Sequence, residues 1–123
     1  MSPTLQKATL LNRYAVVVAP KAPLLEWVKS VDTGSSDMTL REMKEEPDVY
    51  LLPYKDEEAP LEEALQPYFE AIFEDQLFGW WTEQKDWPQN RDWKTFSRFF
   101  DYKIASMVTD LGGSKAIRRE SLY

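Results

Sequence analysis

The sequence predicts an α+β domain of two layers, in which a small three-stranded mixed sheet is covered by one long kinked helix and shorter helices. A β-branched run at Val16, Val17 and Val18 and a short apolar run over residues 49–52 are each typical of buried strands. Between and after them, apolar residues recur every three or four positions, which is the spacing of one helix face. The predicted order is β-α-α-β-α-α-β. If the first two strands are neighbours, the intervening helices predict a parallel, right-handed crossover.

The longest helical pattern runs from Leu61 to Trp81, and the rest of the domain is expected to pack against it. Its apolar positions follow one helix face and are Leu61, Ala64, Leu65, Tyr68, Ile72, Phe73, Leu77 and Trp80. Pro67 lies inside this pattern, where it removes one hydrogen bond and clashes with the carbonyl of Glu63. Either the helix kinks there, or residues 60–66 form a separate turn and the main helix begins near Pro67. Because the apolar stripe continues in phase through the proline, we favour the kink.

The first half of the chain shows clear start and stop signals. Thr39 and Glu42 have the spacing of a capping box, and Pro47 ends the helix that they begin. The predicted segments before the central helix are, in order, a flexible lead-in over 1–9, a strand over 10–19, a helix from Pro23 to Val31, the capped helix from Thr39, a strand over 49–52 and an acidic loop from Lys55 to Glu58.

The second half begins with a polar connector over residues 82–92. Asp92 is a candidate cap for a helix from Trp93 to Phe100. Apolar and polar residues then alternate from Tyr102 to Asp110, which predicts a third, half-exposed strand, with a helix continuing from Phe96 as the competing interpretation. We therefore expect one globular domain over 10–111 and a mobile tail over 112–123.

Composition excludes several classes of function. The chain has no cysteine and no histidine, so disulfides, thiolate chemistry and Ser-His or Cys-His catalysis are excluded. Its formal charge of −6 opposes binding to nucleic acid or to anionic membrane surfaces. No apolar run approaches the length that spans a bilayer, and no signal-peptide pattern is present, so we expect a cytoplasmic protein. No catalytic residue, metal ligand or cofactor is predicted.

A set of short motifs is spread over residues 12–111. They are residues 23–27, Val31 with Asp32, 49–53, 72–74 with Leu77 and Trp80, Trp87 and Pro88 with Arg91, Phe96 with Phe100 and Asp101, 106–108, and Asp110 with Leu111. This pattern resembles a family of small bacterial proteins of unknown function and of about this length. The resemblance implies one domain over most of the chain, and it implies no activity. Pro67 and the long C-terminal tail depart from the usual pattern of that family.

Large aromatic residues are concentrated between the central helix and the next one. They are Trp80, Trp81, Trp87, Trp93, Phe96, Phe99 and Phe100. Such rings can form a stacking surface for a ligand or a peptide, but aromatic residues at helical spacing more often fill a core. Because adjacent residues of a helix diverge by about 100°, Trp80 and Trp81 cannot both point inward. Trp81 is therefore expected to be exposed, and so is Trp87, which lies in the polar connector. The alternative is that the connector folds back and covers Trp81 with Trp87.

Charged residues near the aromatic cluster have two interpretations. Glu74 or Asp101 paired with Arg91 or Arg98 would make a structural ion pair, which we favour, or would grip a carboxylate or phosphate ligand. Glu70 and Glu74 lie one helical turn apart, but no metal-binding motif accompanies them, so a solvated face is favoured over a cation site.

The sequence therefore supports two hypotheses about function. The first is a non-enzymatic protein that binds a protein partner or a second copy of itself through exposed aromatics around Trp81 and Trp87. The second is an enzyme or small-ligand binder with a cleft formed by Glu74, Asp101 and Arg98. The walls of that cleft would be Trp80 and Trp87. The binding residues expected under one or the other hypothesis are Trp81, Trp87, Arg91, Arg98, Glu74 and Asp101.

Overall fold

A computed structural model describes residues 2–54 and 58–123. Its strands are β1 (Thr9–Leu10), β2 (Arg13–Pro20), β3 (Asp48–Pro53), β4 (Phe100–Ala105) and β5 (Thr109–Asp110), and its α-helices are α1 (Ala22–Val31), α2 (Leu40–Met43), α3 (Glu62–Leu65), α4 (Phe69–Trp80) and α5 (Trp93–Phe99). The α+β class predicted from the sequence is confirmed. The predicted acidic loop from Lys55 to Glu58 lies, apart from Glu58, outside the described residues.

The larger sheet has three strands in the order β3-β2-β4, and both pairings are antiparallel. Val18 pairs with Asp48 on one side and with Tyr102 on the other. The prediction of a mixed sheet with a parallel crossover is therefore wrong. The physical reason lies in β2, where buried and less buried residues alternate, so that only one face meets the core. One-sided burial is typical of antiparallel sheets, whereas parallel strands are covered on both faces.

The predicted strand from Tyr102 to Asp110 is two strands rather than one. Strand β4 already begins at Phe100 and ends at Ala105. Residues Thr109 and Asp110 form β5, which pairs with β1 in a separate two-stranded sheet. Thr9, which the sequence placed in a flexible lead-in, is thus paired with Asp110. The limits of the domain stay a prediction.

Pro67 breaks the central helix into α3 and α4, so the favoured kink is wrong and the alternative of two segments is correct. Tyr68 has φ −121° and ψ −8° and precedes α4 as its N-cap residue. Its amide donates to the carbonyl of Leu65, and its own carbonyl accepts from Ile72. These two bonds connect the end of α3 to the first turn of α4. Leu61 and Tyr68 are exposed, although both belong to the predicted apolar stripe.

The local capping signals are confirmed. Thr39 and Glu42 form a reciprocal capping box at the start of α2. The Asp92 carboxylate accepts from the amide of Thr95, at 2.8 Å, and caps α5. Both motifs act within four residues, so they do not depend on the rest of the fold.

The core lies between the inner face of the β3-β2-β4 sheet and the helices. Its centre is an aromatic cluster in which Phe73 of α4 contacts Phe96, Phe99 and Phe100 with ring centroids 5.4–5.9 Å apart. Ile72 and Leu77 of α4 are also buried, as predicted. Among the described residues, no helix has both the length and the apolar character needed to span a bilayer.

Candidate functional site

The connector between α4 and α5, residues 81–92, is held by three indole N–H groups. Trp27 of α1 donates to the carbonyl of Asp86 at 3.1 Å, and Trp81 donates to the Asp86 carboxylate at 3.0 Å. Trp87 donates to the carbonyl of Trp81 at 2.7 Å. Because Trp27 lies in α1 whereas Trp81 and Trp87 lie in the connector, these bonds hold the connector both to the helix layer and to itself.

The predicted exposure of Trp87 is wrong. Its side chain is 7% exposed and belongs to the hydrophobic core, whereas Trp81 is half-buried. The connector folds back over the end of α4, and the bond from Trp87 to the carbonyl of Trp81 fixes that return. A connector that folds back is the alternative interpretation of the sequence. The polar neighbours of Trp87 favoured exposure, whereas its burial depends on where the loop closes in space.

Arg91 joins the connector to α4. Its Nη1 donates to the carbonyl of Pro88 at 2.8 Å, and its Nη2 forms an ion pair with the Glu74 carboxylate at 3.3 Å. The guanidinium carbon also lies 6.0 Å from the centroid of the Trp87 ring, within the range of a cation–π contact. The Arg91 Nε is buried, and none of the residues that the structure describes gives it a hydrogen-bond partner. Three of the six predicted binding residues are thus brought together.

Arg98 and Asp101 do not join this group, so the predicted cleft must be corrected. Arg98 is exposed on α5, where its guanidinium lies 6.0 Å from the ring of Phe99. Asp101 is exposed on β4, opposite Ala19 of β2. Glu74 therefore meets Arg91 rather than Arg98.

Trp80, the other predicted wall, faces a different pocket of about 160 Å³ that it shares with Asp48, Asp75 and Gln76. Among the described residues, no group of three or more Asp and Glu side chains is placed to hold a metal ion. The acidic residues of this pocket therefore do not support a metal site.

A groove of about 680 Å³ runs between the outer side of α4 and the connector, and we call it the connector groove. Its volume lies within the range of ligand sites, about 300–1,000 Å³. The lining combines apolar, cationic, anionic and amide groups, which are Ala71, Glu74, Asp75, Phe78, Gln84, Lys85, Trp87, Gln89, Arg91 and Tyr123. A mixed lining of this kind can hold a peptide segment by several weak contacts at once.

Tyr123 contributes to the groove from the C-terminal tail. Its phenol donates a hydrogen bond to the Asp75 carboxylate, and its ring meets Phe78 edge-on with centroids 5.2 Å apart. Tyr50 of β3 donates to the other Asp75 oxygen at 2.5 Å. Burial, together with this bond, raises the pKa of Tyr50 far above its ordinary value, and the bond to Asp75 raises the pKa of Tyr123. Both phenols therefore keep their protons at neutral pH.

Each oxygen of the Asp75 carboxylate thus accepts a hydrogen bond from one tyrosine hydroxyl. This arrangement is suited to binding hydroxyl groups rather than to removing protons. Gln76 extends the network, because its amide donates to the Tyr50 hydroxyl at 2.8 Å and to the Asp48 carboxylate at 2.7 Å. No sequence pattern links these residues. Asp75 was visible only as another acid beside Glu74, and Tyr123 lay in a tail with no periodic pattern.

Comparison with known proteins found no matching family model, no matching curated protein and no matching solved structure. The resemblance to small bacterial proteins stays a prediction.

Proposed function

We propose that this chain is a non-enzymatic interaction protein that takes a short segment of a partner protein into the connector groove. The observation that carries the proposal is the position of Tyr123 in the groove, where its hydroxyl donates to Asp75 and its ring packs against Phe78. The groove thus binds a tyrosine of this same chain, and we expect it to bind a tyrosine of a partner segment through the same contacts. Rings that combine an apolar face with a polar tip are common anchors of protein interfaces.

Charge supports a basic partner segment. Residues 114–123 contain Lys115, Arg118, Arg119 and one acid, Glu120, so this segment is net positive although the whole chain carries −6. The groove lining is formally neutral, because Glu74 and Asp75 are balanced by Lys85 and Arg91, so the attraction comes from the net negative charge of the whole chain. Opposite charges of this kind raise the association rate and favour the correct orientation. The preferred ligand is thus a basic peptide with a tyrosine.

A synthetic peptide with the sequence of residues 114–123 tests the proposal directly. Labelled with a fluorophore, it should bind the Tyr123→Ala variant more tightly than it binds the unmodified chain, because the competing side chain is gone. Asp75→Asn should weaken binding to that variant, since a neutral amide accepts a weaker hydrogen bond than a carboxylate. A matched peptide with phenylalanine in place of tyrosine should also bind more weakly.

Asp101→Asn provides the control, because Asp101 is an exposed carboxylate outside the groove. It changes the net charge by the same amount as Asp75→Asn and should leave peptide binding unchanged. Equal anisotropy for all of these proteins, or no binding at all, would overturn the proposal.

Arg91 supports a second candidate, which is a site for a small carboxylate. Within the part of the chain that the structure describes, its Nε has no hydrogen-bond partner and its Nη2 makes one bond of 3.3 Å to Glu74. A ligand carboxylate that replaced Glu74 would pair with both nitrogens in the bidentate geometry that arginine favours. Titration calorimetry with succinate tests this candidate. Heat that disappears in Arg91→Lys, with no competition from the peptide, would favour it over peptide binding.

A further inference from the structure

The face of the β3-β2-β4 sheet that points away from the helices is apolar, and we call it the outer face. Val17, Val49 and Leu51 lie on it with 38%, 57% and 51% of their surfaces exposed. The register places Val49, Val17 and Lys103 in one row across the three strands, and Leu51, Ala15 and Ala105 in the next. The solvent face of an antiparallel sheet usually carries polar residues, so this pattern calls for an explanation.

The shape of the outer face suits another sheet. Val17, Val49 and Leu51 are branched side chains that project from it, whereas Ala15, Ala19 and Ala105 leave shallow positions beside them. Stacked sheets pack about 10 Å apart with side chains that interdigitate in this way. Projections and hollows on the same face allow it to pack against an identical face.

Within the described strands, the outer face carries three charged residues. Arg13 lies at the far end of β2, opposite Pro53, whereas Asp101 and Lys103 form a self-complementary pair on β4. Asp101 and Lys103 are both exposed and stand two residues apart on β4, so they point to the same side of the sheet. In a symmetric dimer, each contact occurs twice: if Asp101 of one copy meets Lys103 of the other, Lys103 of the first copy also meets Asp101 of the second. A two-fold axis between them therefore brings each aspartate to the lysine of the other copy, and two ion pairs form from one sequence pair.

We propose that the outer face is the interface of a homodimer, in which two copies of this chain stack their sheets with Asp101 facing Lys103. Three strands about 4.8 Å apart and six residues long, at about 3.4 Å per residue, span roughly 15 by 20 Å, or about 300 Å². Stable interfaces bury about 800 Å² on each partner. The dimer is therefore weak and depends on concentration. This inference is independent of peptide binding in the connector groove.

Sedimentation velocity on the full chain, from about 10 µM to about 1 mM, tests the dimer in the range where weak complexes form. The unmodified chain should show a sedimentation coefficient that rises with concentration. Leu51→Asp should abolish the rise, since it places a charge within the apolar row. A concentration-independent monomer for the unmodified chain would overturn the proposal.

Charge reversal identifies the interface. Asp101→Lys and Lys103→Asp each bring like charges together in a symmetric dimer, so each variant alone should associate about tenfold more weakly or worse. An equimolar mixture of the two should associate again, because one copy then supplies two lysines and the other two acids. The double variant Asp101→Lys with Lys103→Asp should also associate, since the pair is only exchanged.

Lys94→Asp on α5 is the matched control, because it makes the same charge change at an exposed position of the helix layer. It should associate like the unmodified chain. Circular dichroism on every variant distinguishes lost association from lost folding. Association that survives both single reversals, or a mixture that stays monomeric although both variants are folded, would assign self-association to another surface and overturn the proposal.

Discussion

Replacing Trp87 with phenylalanine is the sharpest test of how the connector is built. The substitution keeps an aromatic ring but removes the indole N–H that donates to the carbonyl of Trp81 at 2.7 Å. It also shortens a side chain that is only 7% exposed and that packs within the core. We expect the free energy of unfolding to fall because both the hydrogen bond and part of the packing are lost.

The magnitude follows from these two losses. A carbonyl left without its donor costs about 1–3 kcal/mol, and shrinking a buried aromatic side chain costs about 1–2 kcal/mol when part of the ring remains. We therefore expect a loss of roughly 2–5 kcal/mol, which is a large share of the 5–15 kcal/mol typical of a domain. In a chain of this size, that loss lowers the Tm by roughly 10 °C.

Trp81→Phe is the matched control, because Trp81 is half-buried and its indole donates to the carboxylate of Asp86 in an exposed setting. We expect it to cost less than about 1 kcal/mol. Urea denaturation followed by circular dichroism gives the free energy of unfolding of both variants. Acrylamide should quench the fluorescence of Trp87 less than that of Trp81. Equal losses in the two variants would refute the role given to the Trp87 bond.

Ile72→Ala and Leu77→Ala should each lower the free energy of unfolding by about 2–5 kcal/mol through lost burial, and unchanged urea midpoints would contradict the placement of α4. Gly79→Ala should raise the free energy of unfolding by about 0.4–1 kcal/mol in the same assay. Apart from its chain neighbours and the backbone of its own helix, no atom of the described residues lies within 4 Å of the added methyl group. Tyr50 has a raised pKa, so the folded chain holds its proton more firmly, and stability should fall as pH rises above about 10, by up to about 1.4 kcal/mol per unit. In Tyr50→Phe, that fall should be smaller between pH 10 and 11; an identical slope would exclude Tyr50 as its source.

Features that depend on a few neighbouring residues were predictable from the sequence. The Thr39 capping box, the Asp92 cap and the β-branched core of β2 all follow from local chemistry. The direction of β3 does not, because two helices and their loops allow the chain to return either way. The predicted burial of the strand over 49–52 is wrong, because Val49 and Leu51 lie exposed on the outer face. The break at Pro67 was visible, but the phase of the apolar stripe favoured a kink, and the structure resolves the choice through the backbone of Tyr68.

The candidate site was predictable only in part. Glu74 and Arg91 were expected as one of several ion pairs, and the structure selects them. Trp87 was expected to be exposed, because residues 82–92 are polar and loops usually lie on the surface. Its burial depends on a carbonyl acceptor six residues earlier, and no periodic pattern in a loop reveals such a bond. Tyr123 reaches Asp75 from a segment without regular structure, so the same limit applies.

Strand β2 is synthesised before β3 and β4, the two strands that pair with it. Its two neighbours are β3 and β4, and β4 begins only at Phe100. At roughly 5–20 residues per second, several seconds of synthesis separate β2 from β4. During that time one edge of β2 has no partner, although it carries Val16, Val17 and Val18, and such edges promote aggregation. A premature stop before Phe100 would therefore yield an aggregation-prone chain, detectable by light scattering, and not a smaller folded domain.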